Sequence, residues 1–117
     1  QNFNSFVAYK SLGLNPFSAI NNSIHNILFT RKGEKIGDIE FGTNIHKMIF
    51  SPIDFITTHL LKSEIKAAIE KYEPRIILNS VNVIPNPDNN YYQISINYSL
   101  IKSPDVENRY VDILKRL

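Results

Sequence analysis

The spacing of hydrophobic positions changes about two thirds of the way along the chain. Before Pro74, apolar residues recur every three or four positions, which is the period of an amphipathic helix. After Pro74 they alternate with polar residues, which is the period of a strand with one buried face. The pattern therefore predicts an α+β fold, with amphipathic helices packed on a small antiparallel sheet of two or three strands.

The first predicted helix begins at Asn15-Pro16 and runs to about residue 30. Asn15 is suited to the N-cap and Pro16 to the first helical position. Arg31 and Lys32 would lie in the last turn, where cations suit the helix dipole, and Gly33 would stop the helix. A loop over 33–43 and a short helical turn over 44–50 follow.

The second long helix is predicted to begin in Ser51-Pro52-Ile53-Asp54 and to end before Pro74. Ser51 would cap it, Pro52 fits its first position, and Asp54 would complete a capping box. Its buried face is predicted to consist of Ile53, Ile56, Leu60, Ile65, Ala68, Ile69 and Tyr72.

Strands are predicted from Ile76 onward, with a turn over 85–90. The second strand alternates most clearly: Tyr92, Ile94, Ile96, Tyr98 and Leu100 face inward, while Gln93, Ser95, Asn97 and Ser99 face water. The two strands are expected to pair as an antiparallel hairpin. Ser103-Pro104-Asp105 breaks the pattern, and residues 109–117 form either a third strand, with Val111, Ile113 and Leu117 on one side, or a short helix.

Composition limits the classes of protein to which this chain can belong, but it does not indicate a function. The chain has 117 residues, which favours one domain over 16–117, preceded by an arm over 1–15. A net charge of +2 gives no reason to expect nucleic acid or a membrane as a partner. The absence of cysteine excludes disulfides and thiolate metal sites, and it favours a reducing compartment.

No catalytic, cofactor-binding or metal-binding set emerges from the sequence. His25, His46 and His59 lack metal-ligand spacing, and the loop glycines do not form a nucleotide-binding motif. A glycoside hydrolase would need two carboxylates across a sugar cleft. Glu34, Glu40 and Glu73 are available, but the sequence does not bring them together.

Two features point to a protein partner instead. No charged residue occurs from Ile76 to Pro87, so an edge strand there would be open to a strand from another chain, unless the helices or the arm cover it. In Tyr72-Glu73-Pro74-Arg75-Ile76, an acid occupies the negative end of a helix dipole. Glu73 and Arg75 are two apart in extended chain, so both side chains are expected to point the same way, toward a partner.

Several separate pieces of the chain resemble one known family. They are Ser11-Leu12-Gly13-Leu14, Thr30-Arg31-Lys32-Gly33-Glu34, Glu40-Phe41-Gly42, Tyr72-Glu73-Pro74-Arg75-Ile76 and Val81-Asn82-Val83-Ile84-Pro85. In this order and spacing, over about residues 11–105, they resemble the baseplate wedge, or sheath-initiator, proteins of contractile-tailed phages. The baseplate component TssE of type VI secretion systems is similar to the same family.

The resemblance implies a structural protein of the virion that is assembled in the host cytoplasm, with six copies around the tail axis. Expected partners are other wedge proteins, the tail sheath protein, whose strands would pair with the sheet, and the tail tube. The expected partner-binding residues are Glu73, Pro74, Arg75, Ile94, Ile96 and Tyr98. The alternative is a peptidoglycan hydrolase, because some family members carry a lysozyme label. No cofactor is expected for either function.

Overall fold

The computed structural model describes residues 12–13 and 15–116. Within these residues, three helices come first, α1 (Ser18–Phe29), α2 (Ile45–Met48) and α3 (Phe55–Tyr72), followed by three strands, β1 (Ile76–Asn86), β2 (Tyr91–Leu100) and β3 (Ser103–Lys115). The helices pack on an antiparallel sheet of order β1-β2-β3. The predicted α+β fold and the predicted hairpin are therefore confirmed.

The central strand β2 supplies the floor of the core. Tyr92, Ile94, Ile96 and Tyr98 have no exposed surface and pack against residues of both long helices, such as Ile24 and Ile65. The predicted inward face of β2 is thus confirmed. Its other face is not simply wet, because Ser95 and Ser99 are buried beneath longer polar side chains from the neighbouring strands, such as Arg109, whose Nε donates to Ser95 Oγ at 2.8 Å.

The C-terminal segment is a strand, so the short-helix alternative is wrong. Ser103-Pro104-Asp105 was expected to break the strand pattern, yet β3 begins at Ser103. Val111 and Ile113 share one side of β3, as predicted, and they are 48% and 39% exposed. Tyr110 and Leu114, on the other side of the strand, reach the core. The outward side of β3 thus carries two exposed aliphatic residues.

The first helix begins later than predicted. Asn15 caps a turn ahead of it, accepting the Phe17 N–H on Oδ1 at 2.9 Å, and α1 starts only at Ser18. No basic residue lies in its last turn, since the helix already ends at Phe29 and Arg31 and Lys32 belong to the following loop. Gly33 has a positive φ of 95°, but it lies in a turn of that loop and does not stop the helix.

The N-terminus of α3 differs from the prediction in its cap and in its buried face. Asp54 is the N-cap, and its Oδ1 accepts the Thr57 N–H at 2.7 Å, so Ser51 has no capping role. The buried face comprises Thr57, Leu61, Ile65, Ala68 and Ile69. Ile56 and Leu60, which were predicted to be buried, are 69% and 52% exposed.

Most of the predicted arm over 1–15 lies outside the described residues, so the division at residue 15 stays a prediction. The described residues share one hydrophobic core. Within the described part of the chain, no helix is both long enough and apolar enough to cross a membrane.

Candidate functional site

The segment Tyr72-Glu73-Pro74-Arg75 forms the corner where α3 turns into β1. The helix ends at Tyr72, and Glu73 leaves helical geometry with φ −126° and ψ 81°, while its N–H still donates to the carbonyl of Ile69 at 2.9 Å. Pro74 lacks the N–H that would continue the helix. Glu73 and Arg75 point the same way, as predicted, and they bind each other.

Glu73 is a buried residue of this corner, with only 2% of its surface exposed. Its carboxylate accepts from Arg75 Nε at 2.8 Å and from Arg75 Nη2 at 2.7 Å, in a bidentate pair. Burial pushes the pKa of Glu73 upward, but the hydrogen bonds from Arg75 and from Ser23 of α1 outweigh it, so the pKa lies below its usual value. The charged carboxylate therefore links α1 to the corner.

Arg75 is the outward half of the pair. Its side chain is 56% exposed, and the hydrogen bond to Glu73 raises the pKa of the guanidinium. Of the five N–H donors of an arginine, two go to Glu73, and the others have no acceptor among the described residues. Arg75 can thus hold Glu73 and still donate to a partner.

Tyr72 attaches the preceding loop to this corner. Its hydroxyl donates to the carbonyl of Glu40 at 2.6 Å, and its ring lies edge-on to Phe41 with centroids 4.9 Å apart. Lys35 Nζ lies over the ring of Phe41, 4.2 Å from its centroid. The loop is therefore a structured element that rests on the end of α3.

Gly42 allows this loop to close against the end of α1. It has φ +104°, and a Cβ there would lie 2.2 Å from the carbonyl oxygen of Thr30, closer than any side chain tolerates. Two backbone hydrogen bonds close the loop, Thr43 N–H to Thr30 O at 3.0 Å and Lys32 N–H to Thr43 O at 3.1 Å. The two loop segments that carry the resemblance, 30–34 and 40–42, are thus held close together.

The structure corrects the other three predicted partner-binding residues. Ile94, Ile96 and Tyr98 lie on the central strand with no exposed surface, and β2 is paired on both sides. Their side chains are core residues of the folded domain, so they do not present a surface to a partner. Among the described residues, β1 and β3 are the edge strands, and neither has a strand on its outer side.

The two edge strands differ in charge. β1 carries none along its 11 residues, from Ile76 to Asn86. β3 carries five: Asp105, Glu107, Arg109, Asp112 and Lys115. Charged side chains on an edge strand discourage pairing with another chain. β1 is therefore the edge that is chemically open to a further strand.

A groove beside the corner was not predicted from the sequence. It has a volume of about 430 Å³ and is lined by Pro16, Ala19, Ile20, Pro74, Arg75, Leu100, Ile101 and Lys102. These residues come from three distant segments, so no local pattern could bring them together. A backbone hydrogen bond from Ile101 N–H to the Arg75 carbonyl, 3.0 Å long, holds the β2–β3 turn against the corner.

Of the three glutamates considered for a hydrolase, Glu34 and Glu73 have carboxylates in structural contacts, whereas Glu40 contributes its backbone carbonyl to Tyr72. Glu34 Oε1 accepts the Arg31 N–H at 2.9 Å, which shapes the start of the loop, and Glu73 is paired with Arg75. Across residues 12–13 and 15–116, no group of three or more His, Cys, Asp or Glu side chains is arranged to hold a metal ion.

A second polar cluster, also not predicted, connects α1 to β3. Asp112 Oδ2 accepts from the hydroxyl of Tyr110 at 2.6 Å and lies 3.0 Å from His25 Nδ1. Burial opposes the charge of Asp112, but hydrogen bonds from Tyr110, the Ile113 backbone and His25 lower its pKa overall. This cluster fastens the helical layer to the far edge of the sheet, opposite the β1 edge.

Comparisons with known proteins agree with the resemblance. The sequence profile of the family described as "Baseplate wedge protein gp25" matches residues 17–105. The gp25 baseplate wedge protein of Enterobacteria phage T4 is 38% identical over 96 residues, which cover 82% of this chain and 70% of the T4 protein.

Two solved structures share the fold. A candidate tail lysozyme from Geobacter sulfurreducens superposes with a TM-score of 0.73 at 33% identity, covering 86% of this chain and 93% of that one. A chain of the baseplate complex from the type VI secretion system gives a TM-score of 0.55 at 17% identity, covering 83% and 92%. The second likeness extends to the fold alone. From the matched profile and the T4 relative, this chain belongs to the gp25 family of baseplate wedge proteins.

Proposed function

We propose that this protein is a non-enzymatic component of a contractile-tail baseplate that docks on neighbouring wedge proteins and starts sheath assembly by strand pairing. In this proposal it works in the virion after assembly in the host cytoplasm, in six copies around the tail axis and close to the tail tube. The T4 relative supports a place among baseplate components.

The observation that carries the strand-pairing step is the uncharged edge of β1. No strand of the described chain pairs with its outer side, and its 11 residues include no lysine, arginine or acid. β1 has a bulge near Asn79, and Pro85 lies toward its other end. The residues between them, 80–84, form a regular edge. Such an edge accepts a further strand through backbone hydrogen bonds, which is how β-augmentation gains affinity.

The docking step is assigned to the exposed side of the corner. Arg75 has an exposed guanidinium with donors that find no acceptor in the described part of the chain, and Pro74 beside it is also exposed. Glu73 contributes indirectly, because its buried carboxylate fixes the orientation of Arg75 through two hydrogen bonds. A neighbouring wedge protein would then contact Pro74 and Arg75, with Glu73 as a positioning residue.

The sheet itself offers a matched test of strand pairing. Asn82 of β1 pairs with Ser95 of β2, which pairs with Val111 of β3. In the same way, Ile84 pairs with Gln93, which pairs with Ile113. The four residues on β1 and β3 are exposed. Asn82→Lys with Ile84→Lys should give baseplates that contain the protein but grow no sheath, because lysines on an edge strand oppose pairing. Sheath length on purified tails, measured by electron microscopy, reports the effect.

Val111→Lys with Ile113→Lys serves as the control, since it adds the same charge to the same face at the opposite edge. It should leave sheath growth near normal. Full-length sheaths on the β1 variant would contradict the proposal, and so would sheath loss from the β3 variant alone.

The alternative function, peptidoglycan hydrolysis, gains one supporting observation from the candidate tail lysozyme of Geobacter sulfurreducens. The most suitable hollow lies between α3 and β1 and includes Glu70 and Glu73. A general acid in a glycosidase needs a raised pKa. Glu73 has the opposite shift, because Arg75 and Ser23 stabilise its charged form.

A zymogram with the purified, folded protein on peptidoglycan decides between the two functions. We expect no clearing zone at any protein concentration at which a lysozyme standard clears. Clearing that is lost in Glu70→Gln, while this variant keeps its circular dichroism spectrum, would show that the protein is a hydrolase.

A further inference from the structure

The groove beside the corner has an apolar floor and a cationic rim. Its floor is formed by Pro16, Ala19, Ile20, Pro74 and Leu100, and its rim carries Ile101, which is 52% exposed. The volume of about 430 Å³ lies within the range of roughly 300–1,000 Å³ that is usual for ligand sites. The groove is thus large enough to receive side chains of another polypeptide.

Three positive features surround this floor. Arg75 and Lys102 line the groove, and among the described residues no carboxylate does so; Arg75 is paired with Glu73 outside the lining, and its remaining N–H donors are available. The groove also includes Ala19 and Ile20, which lie in the first turn of α1. This turn has no acidic residue, so the positive end of the helix dipole faces the groove without a carboxylate of its own turn. The surface is complementary to a chain that carries both aliphatic and acidic side chains.

We propose that this groove binds a segment of a neighbouring baseplate protein in which an aliphatic side chain lies next to a carboxylate. The aliphatic group fills the floor between Pro16 and Leu100, and the carboxylate binds Arg75 and Lys102. The inference rests on the proposed docking at the corner. It extends that docking to Ile101 and Lys102 on the β2–β3 turn, and it gives the chemistry of the partner.

The positive charges of the groove are unfavourable for two other occupants, a second copy of this chain and its own residues 1–11. A second copy docking by the same surface would bring two sets of Arg75 and Lys102 together, and like charges in an interface are unfavourable. Residues 1–11 of this chain contain Phe3, Phe6 and Tyr9 but no acid, and their one charged residue is Lys10. This segment matches the floor but not the cationic rim.

A photo-crosslinking experiment identifies the occupant directly. The chain has no cysteine, so Ile101→Cys gives one attachment point for a benzophenone maleimide at an exposed position. The labelled protein is added to purified wedge complexes assembled without it, irradiated and digested. Mass spectrometry should find a crosslinked partner peptide with Asp or Glu within about one helical turn of Leu, Ile or Val.

A crosslink to residues 1–11, to a second copy or to a partner peptide without an acid would overturn the proposal. Failure of the labelled cysteine to crosslink within complexes that contain the protein would do the same.

A charge reversal tests the cationic rim independently. Lys102→Glu should weaken association with the same wedge complexes about tenfold at low salt, because it places like charges together. The difference should shrink as salt screens the interaction. Lys47→Glu makes the same change at an exposed position on α2, outside the groove, and should alter association less than about twofold.

The two proposals fail in different ways. Equal association of Lys102→Glu and Lys47→Glu, with sheath growth still blocked by the β1 lysines, would overturn the groove and leave the proposed function standing. Failure of the unmodified protein to join wedge complexes would overturn both.

Discussion

At the scale of single residues, burial separates the roles of Glu73 and Arg75. The sequence predicted that both side chains point the same way from the end of a helix, and this holds. It did not predict that Glu73 is 2% exposed whereas the Arg75 side chain is 56% exposed. That difference depends on Ser23 of α1 and on the packing of the helices, which no local spacing encodes. Both charges were expected to face a partner, but only Arg75 is exposed, and it is paired with Glu73.

Removal of either charge should therefore destabilise the isolated protein, and Arg75→Ala more than Glu73→Gln. Arg75→Ala leaves a buried carboxylate without its cation, which costs on the order of 3 kcal/mol. Glu73→Gln leaves a solvated arginine and keeps the shape, which costs about 1 kcal/mol. Urea denaturation followed by circular dichroism measures both. Unchanged stability in both variants would show that the pair has no structural role.

The same pair predicts how stability depends on pH. The folded pKa of Glu73 lies below its ordinary value of 4.5, so its contribution is present above that pH and is lost as the pH falls through the folded pKa. The stability difference between the unmodified protein and Glu73→Gln should shrink as the pH falls below 4.5. A constant difference for Glu73→Gln would contradict the assignment.

At the scale of elements, periodicity predicted which elements exist more reliably than which side of each is buried. The strict alternation in β2 identified its buried face because every second residue there is large and apolar. In α3 and β3, apolar residues occur on both faces, so the pattern is ambiguous. Ile56, Leu60, Val111 and Ile113 are apolar yet exposed.

Two adjacent leucines of α3 test the corrected helix face. Leu61 has no exposed surface, while Leu60 is 52% exposed. Leu61→Ala should lower the free energy of unfolding by about 2–5 kcal/mol, the usual cost of a cavity in the core. Leu60→Ala should change it by less than about 0.5 kcal/mol, as at other exposed sites. Equal losses, measured by urea denaturation, would mean that the helix is rotated from the orientation described.

At the scale of the whole molecule, the proposed contact surfaces consist of different residues. The corner and its groove join the end of α3 to the start of α1 and to the β2–β3 turn, while the uncharged edge of β1 runs away from this corner. One copy could thus bind a wedge neighbour and a sheath strand together. The sequence pointed to the corner and to the uncharged segment, but the groove and the free edge depend on strand order and packing.

The most direct test is a cryo-electron microscopy structure of the assembled baseplate with its first ring of sheath subunits. We predict a sheath strand running beside β1 at the usual spacing of about 4.8 Å, hydrogen-bonded to the backbone of residues 80–84. We also predict that Arg75 contacts a neighbouring wedge protein. A β1 edge without a foreign strand, with the sheath held elsewhere, would contradict strand pairing at β1.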